Sequence, residues 1–173
     1  MLYVIQKNKV LLGYRKPRPG KKSFMDNKYN GAGGSVEEGE TYEQAMLREA
    51  FEELGIIPTE YQQIGALLIN NKVELPVYIV TKFNGVIKET DEMKPVWFDI
   101  NSIPYCQMVE DYKIWFSNVL MGQEFLAHLH SNENNNLHSF LVEKRQDKLQ
   151  QLTTALSGIL RQKQQDEKEI VGF

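Results

Sequence analysis

The stretch from Gly34 to Ile56 constrains this chain more than any other. It opens on the glycines Gly31, Gly33 and Gly34, then sets Glu40, Arg48, Glu49, Glu52 and Glu53 ahead of Gly55-Ile56. Thr41 with Gln44 three residues on forms a capping box, and Gly55 supplies a C-terminal stop, which predicts a helix over Thr41–Leu54. Leu47, Ala50, Phe51 and Leu54 recur at helical spacing and give that helix its expected buried face. At about 100° per residue, Glu49, Glu52 and Glu53 fall within roughly 100° of one another, on the side away from the apolar set.

Three carboxylates crowded on one helical face repel, at a cost of roughly 0.2–0.5 kcal/mol per pair. A divalent cation removes that cost. Oxygen ligands completed by water and substrate phosphates describe magnesium, with manganese as a substitute, rather than zinc. Arg48 can pair with Glu52 one turn on and hold it in position. The glycines let the backbone approach a ligand or ion closely, and the Gly34 carbonyl can join the metal shell. An acidic helix serving only solubility would leave Arg48 and the glycines unexplained.

The 173 residues carry a formal net charge of −3, so no global basic field draws the chain onto bulk nucleic acid or an anionic membrane. An anionic small molecule must be met locally. Cys106 is the only cysteine, which excludes an internal disulfide framework and a cysteine-cluster zinc site. It is expected to be a buried packing residue in a reducing, cytoplasmic setting. Residues 1–9 lack the features of a signal peptide, and no run approaches the roughly 20 apolar residues of a membrane span.

Along the chain, Leu2-Tyr3-Val4-Ile5 and Val10-Leu11-Leu12 read as strands around a Lys7-Asn8 turn. Arg15–Tyr29 is a polar loop rich in Arg15, Lys16, Arg18, Lys21, Lys22 and Lys28, either solvated or a lid that attracts phosphate. Ile64–Ile69, Leu75–Phe83 and Val96–Ile100 are strand-like, and Glu110–Met121 is a second helix. Phe125–His130 and Leu137–Val142 form a late hairpin; its His128, His130 and His138 receive no catalytic role. Trp97 and Trp115 are read as core residues. In Glu143–Lys168, Leu149, Leu152, Leu156 and Ile159 recur at spacings of three and four. That is an amphipathic helix, able to pack on its own domain or to mediate self-association or partner docking. Residues 1–142 are thus expected to form one domain and 143–173 a C-terminal helical extension.

The spacing of Gly34, Glu40, Arg48, Glu49, Ala50, Glu52, Glu53, Gly55 and Ile56 resembles the signature of the Nudix hydrolases. The likeness runs across Leu2 to Val142. Val10-Leu11-Leu12-Gly13, Asn30-Gly31-Ala32-Gly33-Gly34, Asp91-Glu92-Met93-Lys94-Pro95-Val96-Trp97-Phe98 and Ile103-Pro104-Tyr105 are similar to stretches of the oxidised-purine nucleoside triphosphatases within that family. The resemblance implies an α/β/α sandwich around a mixed sheet, with a catalytic loop-helix-loop. It also implies magnesium-dependent hydrolysis of a modified purine nucleoside triphosphate to monophosphate and pyrophosphate. By the same likeness Glu92 is a loop carboxylate that approaches the metals, Asn30 hydrogen-bonds the purine, and Asp111 reads the base edge. Gly33 and Glu40 join the substrate site. The pattern departs at Tyr112, which replaces a second aspartate, and at Val109, which stands where an aromatic ring stacks on the base. The alternatives are a pyrophosphohydrolase for a dinucleotide, nucleotide sugar or capped RNA end, and a non-catalytic nucleotide-binding regulator.

Overall fold

The computed structural model describes residues 1–20, 22–132 and 137–144. Strands β1 (Leu2–Gln6) and β2 (Lys9–Arg15) form a hairpin. The expected turn is there: Lys7 and Asn8 have φ of 48° and 65°, the double left-handed geometry that matches the twist of the flanking strands. Strand β2 also pairs with the short β3 (Tyr29–Asn30) and, along its whole length, with β6 (Met93–Asp99), both antiparallel.

Helix α1 (Tyr42–Leu54) ends at Gly55, and β4 (Ile56–Ile69) starts on the next residue. It turns back into β5 (Val73–Gly85). Helix α2 (Tyr112–Leu120) then leads to the late hairpin of β7 (Phe125–Ser131) and β8 (Leu137–Lys144). The eight strands form one sheet in the order β3-β2-β1-β5-β4-β7-β8, with β6 on the outer side of β2. The β1–β5 and β4–β7 pairs are parallel and the rest antiparallel, so the sheet is mixed.

Because side chains alternate along a strand, the sheet feeds two cores. Tyr3, Val10 and Leu12 pack with Tyr112, Trp115, Phe116 and Val119 of α2. Leu2, Val4 and Leu11 pack with Met46, Ala50 and Leu54 of α1. The two helices therefore cover opposite faces, giving the α/β/α layering implied by the sequence. Trp115 is fully buried, while Trp97 is half-buried at the margin of the α1-side core.

Several expectations are corrected. Phe51 is 56% exposed, and α1 instead buries Ala45, Met46, Ala50, Glu53 and Leu54. The apolar face is thus rotated toward the acidic one, and Glu53 lies inside it. Strand β4 begins eight residues before Ile64, because Pro58 and register shifts near Glu60 and Gly65 break the simple alternation there. Cys106 is exposed, in a single 3₁₀ turn over Tyr105–Gln107. Of the expected helix over Glu143–Lys168, Glu143 and Lys144 are instead the end of β8, paired with Leu126 and Phe125, and the rest lies outside the described residues.

Candidate active site

Helix α1 is fixed at both ends. The Gln44 N–H donates to Thr41 Oγ1 at 3.2 Å and the Thr41 N–H to Gln44 Oε1 at 2.8 Å, a reciprocal cap. At the other end Gly55 adopts φ 73° and donates back into the last turn. The side chains between them are therefore presented from a defined frame.

Arg48 is the hub of that frame. Its Nε and Nη2 donate to the two oxygens of Glu40 at 2.8 and 3.0 Å. Nη1 reaches Glu49 Oε1 at 2.8 Å and Glu52 Oε2 at 3.2 Å, and Nη2 also donates to the Ser35 carbonyl at 2.9 Å. A planar guanidinium can meet so many acceptors only because its donors are fixed in a fork. Glu40 and Glu49 raise the pKa of Arg48, and Arg48 lowers that of Glu40. The pairing with Glu52 was legible from the i, i+4 spacing; the bonds to Glu40 and Ser35 were not.

Glu53 is only 4% exposed. Its Oε2 accepts the Gly33 N–H at 2.7 Å. Burial pushes its pKa up to about 7 against that hydrogen bond; the charges of Glu49 and Glu92 push the same way and Arg15 opposes them. Gly34 passes so close to the Glu49 carboxylate that a Cβ there would collide with it. Glu52 faces outward, its side chain 55% exposed.

Glu92 precedes β6, and Arg18 Nη1 contacts its Oε2 at 2.9 Å. The Lys16 N–H donates to the Glu92 carbonyl at 2.8 Å, and Thr90 Oγ1 donates to the Glu53 carbonyl at 3.3 Å. The basic loop is thereby strapped to the carboxylate segment. Arg18 is one of the charges of the basic loop, and no local feature of the sequence points to this partner.

A cavity of about 530 Å³ opens beside these groups, lined among others by Glu49, Gly31, Gly33, Gly34, Asn30 and Arg15. Asn30 is 1% exposed and its Oδ1 has no hydrogen-bond partner. Arg15 is also largely buried; its Nε lacks a hydrogen-bond partner but forms an ion pair with Asp26 at 3.8 Å. Asp111 stands just ahead of α2, outside the cavity lining. One of its oxygens takes the Trp115 Nε1–H at 3.1 Å, the other has no partner, and burial raises its pKa. Val109 packs at the edge of the α2-side core.

Among the described residues, no three acidic, histidine or cysteine side chains are gathered into a preformed ion site. Arg48 Nη1 bridges Glu49 and Glu52, and Arg18 engages Glu92. The donor set nevertheless suits a hard cation: Glu53 feels the charges of Glu49 and Glu92, and Gly34 brings backbone against Glu49 with no side chain between. Such oxygen donors match magnesium-type chemistry.

Residues 1–119 match the NUDIX domain. The chain belongs to the Nudix hydrolase family. Hydrolases of this family generally depend on divalent metals. An oxidized purine nucleoside triphosphate hydrolase of Danio rerio is 33% identical over 157 residues, covering 88% of this Nudix hydrolase and 95% of that relative. An ADP-ribose pyrophosphatase of Methanocaldococcus jannaschii is 34% identical over 124 residues, covering 65% and 70% respectively. The crystal structure of the MutT protein from Bacillus halodurans superposes with a TM-score of 0.68 at 23% identity, covering 82% of this chain and 94% of that one. This last likeness shows the shared fold. No described helix of the Nudix hydrolase is long and apolar enough to cross a membrane.

Proposed function

We propose that this Nudix hydrolase cleaves an oxidised or otherwise modified purine nucleoside triphosphate to the monophosphate and pyrophosphate. The observation that carries the reading is one cavity lined at once by Glu49, the Gly31–Gly34 loop and Asn30 with its unpaired amide oxygen. Phosphate-handling and base-reading groups thus border the same space. The similarity to the Danio rerio hydrolase supports the same substrate class.

In this reading Glu49, Glu52, Glu53 and Glu92, with the Gly34 carbonyl, hold magnesium, or manganese in its place. The bound cation supplies charge neutralisation at the phosphoryl oxygens and a more acidic water. Arg48, anchored by Glu40, keeps Glu49 and Glu52 in position. One carboxylate among Glu52, Glu53 and Glu92 accepts the proton of the attacking water. Asn30 hydrogen-bonds the purine, and Gly33 lets the backbone approach the substrate; Asp111, outside the cavity lining, would reach the base edge through its unpaired oxygen. Arg15 adds a buried positive charge on the cavity wall, suited to phosphate.

The similarity to an archaeal ADP-ribose pyrophosphatase favours a second reading, in which the substrate is another nucleoside-diphosphate-linked compound. A hydrolysis screen over oxidised and normal nucleoside triphosphates, dinucleotides and ADP-ribose, with and without magnesium, separates the two. Pyrophosphate plus monophosphate from the oxidised purines supports the first. Turnover confined to ADP-ribose or dinucleotides supports the second, and tight binding without any turnover defeats both. Replacing Glu52 or Glu53 by Gln lowers turnover by orders of magnitude; unchanged turnover in both variants removes the mechanism. The extension expected over residues 143–173 is proposed, beyond the end of β8 at Lys144, to pack on this domain or to mediate self-association. Deleting residues 145–173 and measuring mass and activity tests that role.

A further inference from the structure

Tyr112 occupies a position the catalytic argument does not use. It is 2% exposed, at the first residue of α2. Its hydroxyl accepts the Gly31 N–H at 3.3 Å and pairs with the Tyr3 hydroxyl at 2.8 Å. The Tyr3 hydroxyl in turn lies 2.9 Å from the Met1 sulfur as donor. Either hydroxyl can donate to the other, and the Tyr112 hydroxyl also lies 3.8 Å from the Met1 sulfur; in both arrangements the Tyr112 hydrogen stays within the protein and a lone pair goes to Gly31. The Tyr112 hydroxyl is then fully committed within the protein and has no hydrogen left for a ligand.

Gly31 is the residue after Asn30, and the backbone around it is held from three directions. Asn30 pairs with Gly13 of β2, Ala32 bridges to Leu2 through bonds of 2.8 and 3.1 Å, and Tyr112 takes the amide between them. A Cβ at Gly31 would sit 2.7 Å from the Leu2 carbonyl oxygen and from the Tyr3 ring, so no bulkier residue could let these groups close in. At the centre of this clamp is Asn30, buried and with its Oδ1 unsatisfied. A buried unpaired acceptor is costly, and rigid surroundings are what keep it from turning away to find an internal partner.

We propose that Tyr112 is a positioning residue for base recognition. By taking the Gly31 N–H, its hydroxyl fixes the peptide that carries Asn30 and keeps the amide oxygen available to an N–H donor of the nucleobase. The inference rests on the reading of Asn30 as the base contact. It assigns Tyr112 a purpose different from direct base reading, since its own hydrogen-bonding capacity is spent inside the fold.

The test is Tyr112→Phe, which removes the hydroxyl and leaves the ring, assayed with 8-oxo-dGTP beside Asn30→Ala. The expected result for Tyr112→Phe is a KM raised about five- to tenfold, the size of one neutral hydrogen bond, with kcat within about twofold. The Gly31 amide should exchange faster while the Leu2 and Ala32 amides keep their protection. If Asn30→Ala raises KM and Tyr112→Phe does not, the positioning role is overturned and the Asn30 contact stands. If neither raises KM, the base contact fails and this inference falls with it. Should Tyr112→Phe not fold, exchange of the Gly31 amide in the unaltered protein decides. Protection supports the clamp, and exchange at the rate of an open loop overturns it.

Discussion

The backbone N–H of Gly33 donates to the buried carboxylate of Glu53 at 2.7 Å, tying the glycine loop to the far end of helix α1 across 20 residues of sequence. Loop and helix are therefore one unit, and the ionisation of a single side chain is felt by both.

The first expected outcome concerns pH in the absence of divalent cations. Burial raises the Glu53 pKa from 4.5 to about 7, so between those values the folded protein binds a proton that the unfolded chain has released. Stability from this group is therefore fully present below 4.5 and declines as pH rises through about 7. The loss is at most about 3 kcal/mol. Urea unfolding of the unaltered protein and of Glu53→Gln, at several pH values from 4.5 to 8, isolates the term. The difference between the two should shrink in favour of the variant as pH rises, and parallel curves would contradict the burial argument.

Gly34→Ala should separate folding from turnover. The added methyl meets the Glu49 carboxylate, the far end of a side chain that can swing away. Stability should change by about 1 kcal/mol or less, while kcat falls at least about tenfold because Glu49 is displaced. Normal kcat with a displaced Glu49 would show that this carboxylate is not needed.

Arg48→Lys keeps the charge and loses the fork. One ammonium cannot serve both oxygens of Glu40 together with Glu49, Glu52 and the Ser35 carbonyl. We expect kcat/KM to drop by about tenfold or more. A variant with unaltered kcat/KM would mean that only the positive charge matters.

On the other side of the helix, Phe51→Ser should shift stability by no more than about 0.5 kcal/mol, since the ring is exposed. Leu54→Ala should cost about 2–5 kcal/mol, because Leu54 is fully packed in the α1-side core. Thermal unfolding of the pair checks which residues form the buried face.

What could be read in advance follows from how local each determinant is. The capping box at Thr41 and Gln44, the Gly55 stop and the Lys7-Asn8 turn are settled by neighbours a few residues away, and all three stand where the pattern placed them. The burial of Glu53 and the exposure of Phe51 depend instead on how α1 is rotated against the sheet, which periodicity fixed only to within a residue. The first half of β4 was hidden because its bulges interrupt the alternation that marks a strand. Arg18 with Glu92, and Gly31 with Tyr112, join residues 74 and 81 positions apart. No motif along the chain announces such partners.

Leu2 lies beside Tyr78 and Val4 beside Val80 in a parallel pair. During synthesis β1 consequently has no partner on that side until Tyr78 to Val80 have been made. The β1–β2 hairpin and the capped helix can form early, from nearby contacts, but the central β1–β5 pairing must wait for β5. A ribosome stalled before residue 80 should therefore hold a hairpin and a helix whose shared core lacks Tyr78 and Val80, and capacity for catalysis should arise only after β5 has emerged.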